Sequence, residues 1–176
     1  FSQDGFTFDA GPSWYWMPDV FDSYFNDFGK KTADFYKLTR LDPCYRIYFN
    51  EKEYLDVSEN LDTLKEKFEK IERGSGQSLQ NYLDDAGEKY RVAVEKFIYK
   101  PSLSALEFME LDLLKRLGRL NLFKPISKHI REYFKDPRLI KLLEFPSLLL
   151  GAKPSNTPAL YSIMNYADLS LGTWYP

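Results

Sequence analysis

The chain has 176 residues, 44% of them hydrophobic and 28% charged, with a formal net charge of -2. That length suits one domain with a sizeable core, and the balance is globular rather than disordered. So even a charge excludes a general nucleic-acid binder, and the single cysteine, Cys44, excludes an internal disulfide or a thiolate metal cluster.

Residues 5–9 alternate as a strand, with Phe6 and Phe8 on one side, and Gly11-Pro12 closes it. Trp14, Tyr15 and Trp16 follow at once. From Pro18, tolerated at an N-terminal turn, Val20, Phe21, Tyr24, Phe25 and Phe28 recur at helical spacing up to a Gly29 C-cap. Tyr45, Ile47 and Phe49 alternate, Asn50-Glu51-Lys52 turns the chain, and residues 54–57 return, which predicts a hairpin. Leu61, Leu64, Phe68 and Ile71 form the stripe of an amphipathic helix that Gly74 ends. A second helix is predicted over 78–98, with Leu79, Tyr82, Leu83, Ala86, Tyr90, Ala93 and Phe97 inward. Further helices are predicted over 104–118, 125–134, 137–149 and from Pro158 to about 169, before an extended end at Trp174-Tyr175-Pro176. Strand-like ends around a helical middle predict an α+β fold. Its sheet is small, mixed or antiparallel, formed partly from both termini and capped by a predominantly helical subdomain.

Few short motifs carry chemistry. Gly74-Ser75-Gly76-Gln77-Ser78 follows a helix, not a strand, and lacks the Lys-Ser/Thr of a phosphate loop, so it reads as an interhelical turn. Asp84, Asp85, Glu107, Glu110 and Asp112 read as solvated charge, and the lone histidine, His129, as a helix-surface residue. With one histidine and one cysteine no metal site is expected. No Gly-x-Ser-x-Gly elbow supplies a nucleophile, and no apolar run reaches the roughly 18 residues that span a bilayer. Phe, Tyr and Trp make up 17% of the chain, which suits an aromatic core, an apolar-ligand surface or a membrane interface. Residues 111–150 interleave Leu, Ile and Phe with Lys115, Arg116, Arg119, Lys124, Lys128, Arg131, Lys135, Arg138 and Lys141. Such a stretch is either a set of core-facing helices with cationic rims or a surface for anionic membrane.

Several motifs then resemble one family. "DGFTFDAGPS", "LDPCYRIYF", "DPRLIKLLEFPSLLLGAKPSNTPALYSIMNYADLSLGTWYP" and their order are similar to phytoene desaturases of the bacterial and fungal carotenoid type, over essentially all of the chain. The resemblance implies an FAD-dependent enzyme with a Rossmann-like cofactor half and an inserted substrate half. It implies desaturation of a C40 polyene by hydride transfer to flavin. The family's Gly-x-Gly-x-x-Gly fingerprint is absent from these residues. The expectation is therefore a single substrate-binding, membrane-facing domain over residues 1–176, excised from a longer flavoenzyme. Such a piece is expected to be inactive alone and to hold no FAD by itself.

The same resemblance places candidates. Gly11, Pro12, Trp174, Tyr175 and Pro176 would lie beside the cofactor. Trp14, Tyr15, Trp16, Met17, Phe145, Leu148, Leu149, Leu150, Tyr161, Met164 and Trp174 would line an apolar tunnel, since a hydrocarbon polyene offers no polar handle. Lys115, Arg116, Arg119, Lys124, Lys128 and Arg131 would face a membrane, giving a cytoplasmic, peripherally associated protein. Some relatives have an Arg-Asp pair after a Leu-Ser step; after Leu103-Ser104 this chain has Ala105-Leu106-Glu107, so no catalytic residue is carried over. The junction face, apolar where it would meet the cofactor half, is expected to drive self-association. Alternatives are the substrate domain of a carotenoid isomerase, a saturase or a C30 desaturase, or a stand-alone lipid-binding module.

Overall fold

The structure is a computed structural model that describes residues 1–8, 10–11, 14–94 and 124–176. Asp4 and Gly5 both take positive φ, 53° and 84°. A tight two-residue hairpin turn needs that conformation, and Asp-Gly is a favoured pair for it. They fold the start of the chain into β1 (Ser2–Gln3) and β2 (Phe6–Thr7), paired antiparallel. The strand expected over 5–9 is thus one arm of a short, fully exposed hairpin that joins no larger sheet.

Helix α1 (Pro18–Asp27) starts after Met17, itself left-handed at φ 58°, and Gly29 (φ 66°) follows its end. The expected apolar stripe is present but buries nothing, and Phe21, Tyr24 and Phe28 are exposed. What holds α1 is aromatic: Phe25 stacks on Phe35 at 4.7 Å and Phe21 lies 4.6 Å from Tyr15. Tyr90 adds a hydroxyl that donates to the Asp19 carboxylate at 3.0 Å.

Strand β3 (Thr39–Arg40) pairs antiparallel with β6 (Trp174–Tyr175), and Tyr15 bridges to Trp174 from the other side. Tyr15 N–H donates to Trp174 C=O at 2.8 Å and Trp174 N–H returns to Tyr15 C=O at 3.0 Å. The early and late segments therefore do meet in one small antiparallel patch, as expected, although through Tyr15 rather than through residues 5–9. Between them β4 (Tyr45–Tyr48) and β5 (Tyr54–Val57) make the expected hairpin, in a third two-stranded sheet. Asn50 Oδ1 shapes its turn by accepting from Lys52 and Glu53 N–H at 2.9 and 3.0 Å.

Helix α2 (Leu61–Ile71) begins where Asn60 Oδ1 accepts Thr63 N–H at 2.9 Å, and it buries Leu64 and Phe68. Helix α3 (Ser75–Ala93) starts three residues earlier than the pattern predicts. The reason is Glu69, whose carboxylate accepts Gly74 N–H at 2.7 Å and Gly76 N–H at 3.1 Å. The glycine-rich turn is therefore interhelical, and the chain's own carboxylate takes the place an anion would occupy. The predicted continuation to residue 98 and the helix over 104–118 lie outside the described residues, as do Glu107, Glu110 and Asp112.

Helix α4 (Ile126–Ile130) is shorter than the predicted 125–134, and α5 (Pro137–Glu144) shorter than 137–149. Pro146 has no N–H to extend α5, so the chain tightens into a 3-10 turn at Phe145–Leu150. Ala159–Tyr161 is likewise 3-10 and runs into α6 (Ser162–Leu169). The core lies among α2–α6 and the β4–β5 hairpin, with Leu64, Phe68, Tyr82, Ile130, Phe134 and Leu143 all buried. Burial of one such side chain contributes about 1.5–3 kcal/mol. Two glycines allow close approach: a Cβ at Gly87 would sit 2.6 Å from the Tyr166 ring of α6, and one at Gly76 3.0 Å from Lys65 C=O of α2.

Candidate functional site

Where the early and late segments meet, aromatic rings from three distant parts of the sequence converge. Trp14 and Trp16 stack at 5.9 Å with planes 19° apart. Trp14 also lies 5.1 Å from Tyr45 of β4 and 5.9 Å, edge-on, from Phe145. Tyr45 and Phe145 close the group at 5.9 Å. All four residues are half-buried, each packed in part and exposed in part. Such a surface is suited to a flat, apolar, conjugated partner.

Beneath the rings sits a carboxylate. Asp168 of α6 is 2% exposed. Its Oδ1 accepts the Thr173 hydroxyl at 2.6 Å and its Oδ2 accepts the Tyr45 phenol at 2.5 Å. Thr173 in turn accepts Trp16 Nε1–H at 2.9 Å. Burial drives the Asp168 carboxyl up to about 6, and the bonds from Thr173 and Tyr45 offset part of that rise. The same burial, with the Asp168 charge beside it, pushes the Tyr45 phenol well above its ordinary range. Neither Asp168, Thr173 nor Tyr45 was among the expected site residues. A signal existed in part: Asn165 and Asp168 are three apart on α6, hence on one face, which also carries buried Leu169. Two polar residues on a buried helix face ask for partners. Asn165 finds Tyr82 Oη and Leu143 C=O at 2.7 and 3.1 Å.

The tunnel candidates divide. Trp14, Trp16 and Phe145 belong to the cluster. Trp174 flanks it, with Arg40 over its ring at 5.7 Å and its indole N–H on Leu171 C=O at 3.2 Å. Tyr15 turns away, bonding Tyr36 Oη at 2.8 Å. Met17 serves the entry to α1. Tyr161 packs on the core and Met164 is half-buried on α6. Leu148, Leu149 and Leu150 are 69%, 57% and 43% exposed, three consecutive leucines on the surface beside Phe145. Of the cofactor-side candidates, Gly11 has φ 135° with open space where a Cβ would be, Tyr175 and Pro176 are exposed, and Pro12 lies outside the described residues. An open groove of about 720 Å³ is lined by Asp22, Asn26, Lys31, Thr32, Tyr36 and Lys37 among others, and it uses none of the tunnel candidates.

Of the membrane-facing candidates, Lys115, Arg116 and Arg119 lie outside the described residues. Lys124 is paired with Glu132, and Arg131 reaches Glu144 at 2.6 Å, so both are partly neutralised. Lys128 is exposed and shares an open groove with Arg131 and Lys153.

His129 corrects the expectation of a helix-surface histidine. It is 4% exposed, with Nε2 3.0 Å from Asp85 Oδ2 and 3.2 Å from Lys89 Nζ. Lys89 is itself buried and bonds Asp85 at 2.5 Å. Asp85 is therefore not simply solvated. Burial alone would raise its carboxyl, but hydrogen bonds from His129 and Lys89 hold it below the usual range. Lys89 is a buried lysine whose ammonium is satisfied by the Asp85 pair.

Among the described residues no group of three His, Cys, Asp or Glu side chains is arranged for a metal ion, and no helix is long and apolar enough to cross a membrane. At the glycine-rich start of α3, the Glu69 carboxylate occupies the backbone N–H groups of Gly74 and Gly76.

Residues 1–176 match the family described as flavin containing amine oxidoreductase. The carotenoid 3,4-desaturase of Haloarcula japonica is 40% identical over 98% of this chain and 35% of its own length. The 4,4'-diapophytoene desaturase (4,4'-diaponeurosporene-forming) of Staphylococcus haemolyticus is 33% identical over 99% of this chain and 35% of its own. The zeta-carotene-forming phytoene desaturase of Myxococcus xanthus is 27% identical over 98% and 34%. The chain thus spans about a third of the length of these curated relatives. It belongs to the flavin-containing amine oxidoreductase family.

Proposed function

We infer that these residues are the substrate-facing part of an FAD-dependent carotenoid desaturase. The observation that carries this reading is the half-open wall of Trp14, Trp16, Tyr45 and Phe145, in a chain whose relatives are named for desaturating polyenes. A hydrocarbon polyene has no group to bond or pair with, so it is held by area and shape. Aromatic faces supply both at low conformational cost. Flavin, held by the rest of the polypeptide, would accept the hydride. The aromatic wall would set which stretch of polyene is presented. The test is the full-length enzyme, produced in hosts that accumulate phytoene or 4,4'-diapophytoene. A longer conjugated chromophore in either host is the expected result. A folded, flavin-loaded enzyme that leaves both polyenes unchanged refutes the reading, and an isomerised or saturated product moves it to the corresponding alternative.

Membrane docking is the second part of the reading, supported by Leu148–Leu150 standing exposed, with Leu148 lining a groove that shares Glu144 and Pro154 with the groove of Lys128, Arg131 and Lys153. Leucines that enter the interface and cations that meet lipid phosphate act together there. Flotation with anionic vesicles is expected to carry the full-length enzyme up, and replacing Leu148 and Leu149 with Ser to reduce it. Equal flotation of both proteins counts against this surface.

A further inference from the structure

Asp168 is the strongest unexplained feature of the molecule. A nearly fully buried acid is held at the centre of a hydrogen-bond relay, and the proposed reaction leaves it without a chemical role, because both its oxygens are taken and water and substrate are kept from it. The relay runs one way. An indole N–H can only donate, so Thr173 Oγ1 must accept from Trp16, and the Thr173 proton must then go to Asp168. The Tyr45 phenol also donates to Asp168. The carboxylate is the acceptor at which both donor chains end. Each chain fixes one ring: Trp16 through Thr173, and Tyr45 directly. Trp14 is wedged between those two rings, and Phe145 abuts both Trp14 and Tyr45.

We propose that Asp168 is a positioning residue for substrate, the single acceptor that sets the orientation of the Trp14–Trp16–Tyr45–Phe145 wall against which the polyene lies. This rests on the reading of the wall as the polyene surface. Ring–ring contacts orient only weakly, and an apolar ligand adds no hydrogen bond to fix a tilt. The stronger constraint comes from behind, through the polar edges of Trp16 and Tyr45.

An amide at 168 does this less well. Asn offers one acceptor oxygen and one NH2 donor, so only one of Thr173 and Tyr45 can still donate to it, and the other hydroxyl must turn to accept from the amide, exchanging a charge-assisted bond for a weaker neutral one at one ring. The test uses the full-length flavoenzyme carrying Asp168→Asn, with Thr173→Val as a second variant that cuts the Trp16 branch and leaves Asp168 in place. Leu64→Ala, in the core and outside the hydrogen-bond relay, controls for lost stability. Three quantities are read: KM for the polyene, kcat, and the near-ultraviolet circular dichroism of the Trp14–Trp16 stack, taken as the difference from Trp14→Phe.

Both relay variants are expected to raise KM by about tenfold, the low end of what misfit in an apolar pocket costs, with kcat held within about twofold. Both are expected to lose the stacking signal. Leu64→Ala should keep the signal and the KM. Unchanged KM and an unchanged signal in both relay variants overturn the proposal, and so does an equal change in Leu64→Ala. The spectrum separates the two readings. If the signal is lost in a protein that turns over no polyene, the relay orients the rings but the functional reading of the wall fails. If polyene is turned over and the signal and KM persist, the positioning role fails alone.

Discussion

The pH dependence of stability is the sharpest probe of Asp168. Its carboxyl, ordinarily near 3.8, titrates near 6 in the folded chain, chiefly because burial penalises the charge. Between those values the folded chain holds a proton that the unfolded chain has released, so stability falls as pH rises through the window and levels off above it. At about 1.4 kcal/mol per pH unit the full effect is about 3 kcal/mol. Between about pH 4.5 and pH 7.5 some 2 kcal/mol of it remains. Asp168→Asn has no proton to lose and lacks this slope. Urea unfolding of both proteins at the two pH values, compared as a difference, cancels the groups they share. The stability of wild type relative to Asp168→Asn should drop by about 2 kcal/mol on going to the higher pH. A difference that stays level within about 0.5 kcal/mol refutes a desolvated carboxyl. A difference that moves the other way means that the bonds from Thr173 and Tyr45 outweigh burial.

Four further outcomes follow from the packing. Asp85→Asn strands the buried Lys89 ammonium beside His129 and should cost about 3–5 kcal/mol in denaturant unfolding; Lys89→Met leaves Asp85, whose side chain is 28% exposed, in partial contact with water and should cost less than half of that. Gly87→Ala drives a methyl group to 2.6 Å from the Tyr166 ring, which already packs 5.3 Å from the Tyr90 ring, and should cost about 1–3 kcal/mol in thermal melts. Asn60→Ala removes the α2 cap and should cost about 1 kcal/mol, read from the shift of the urea midpoint. With Phe21, Tyr24, Phe28 and Leu148–Leu150 exposed, the 176-residue chain should self-associate in sedimentation at high concentration; a monomer across the range contradicts an adhesive junction face.

Legibility followed range. Helix α2 was readable because its stripe and its glycine exit are local, and so was the β4–β5 hairpin with its Asn50 turn. The β1–β2 hairpin was readable in principle, since Asp4-Gly5 is a two-residue turn signal; reading residues 5–9 as one strand passed over it. Pro146 marked the end of α5 as plainly as it marks any helix, yet the leucine run after it suggested continuation. His129 and Lys89 could not be placed from pattern alone, because His129 meets Lys89 and Asp85 only across 40 and 44 residues. The aromatic half of the candidate site was visible as Trp14, Trp16 and Phe145. The polar half was not: Tyr45 and Asp168 are 123 residues apart, and Trp16 and Thr173 are 157 apart.

That division also bears on why a carboxylate is there. If position 168 only had to fill space beneath four rings, a leucine or methionine would do so without the roughly 3 kcal/mol penalty that a buried charge carries at neutral pH, and replacing buried ionic groups by apolar ones is often stabilising. Tyr45 could then be Phe, and Thr173 Val. The three polar groups and the Trp16 indole make sense together, because each donor has one acceptor and each ring one permitted tilt. On the proposed reading, a wall that presents a featureless polyene in a single register needs its own rings held in a single register first. On that reading the directional contacts stand behind the apolar surface, out of the ligand's reach, and lower stability is accepted in exchange for orientation.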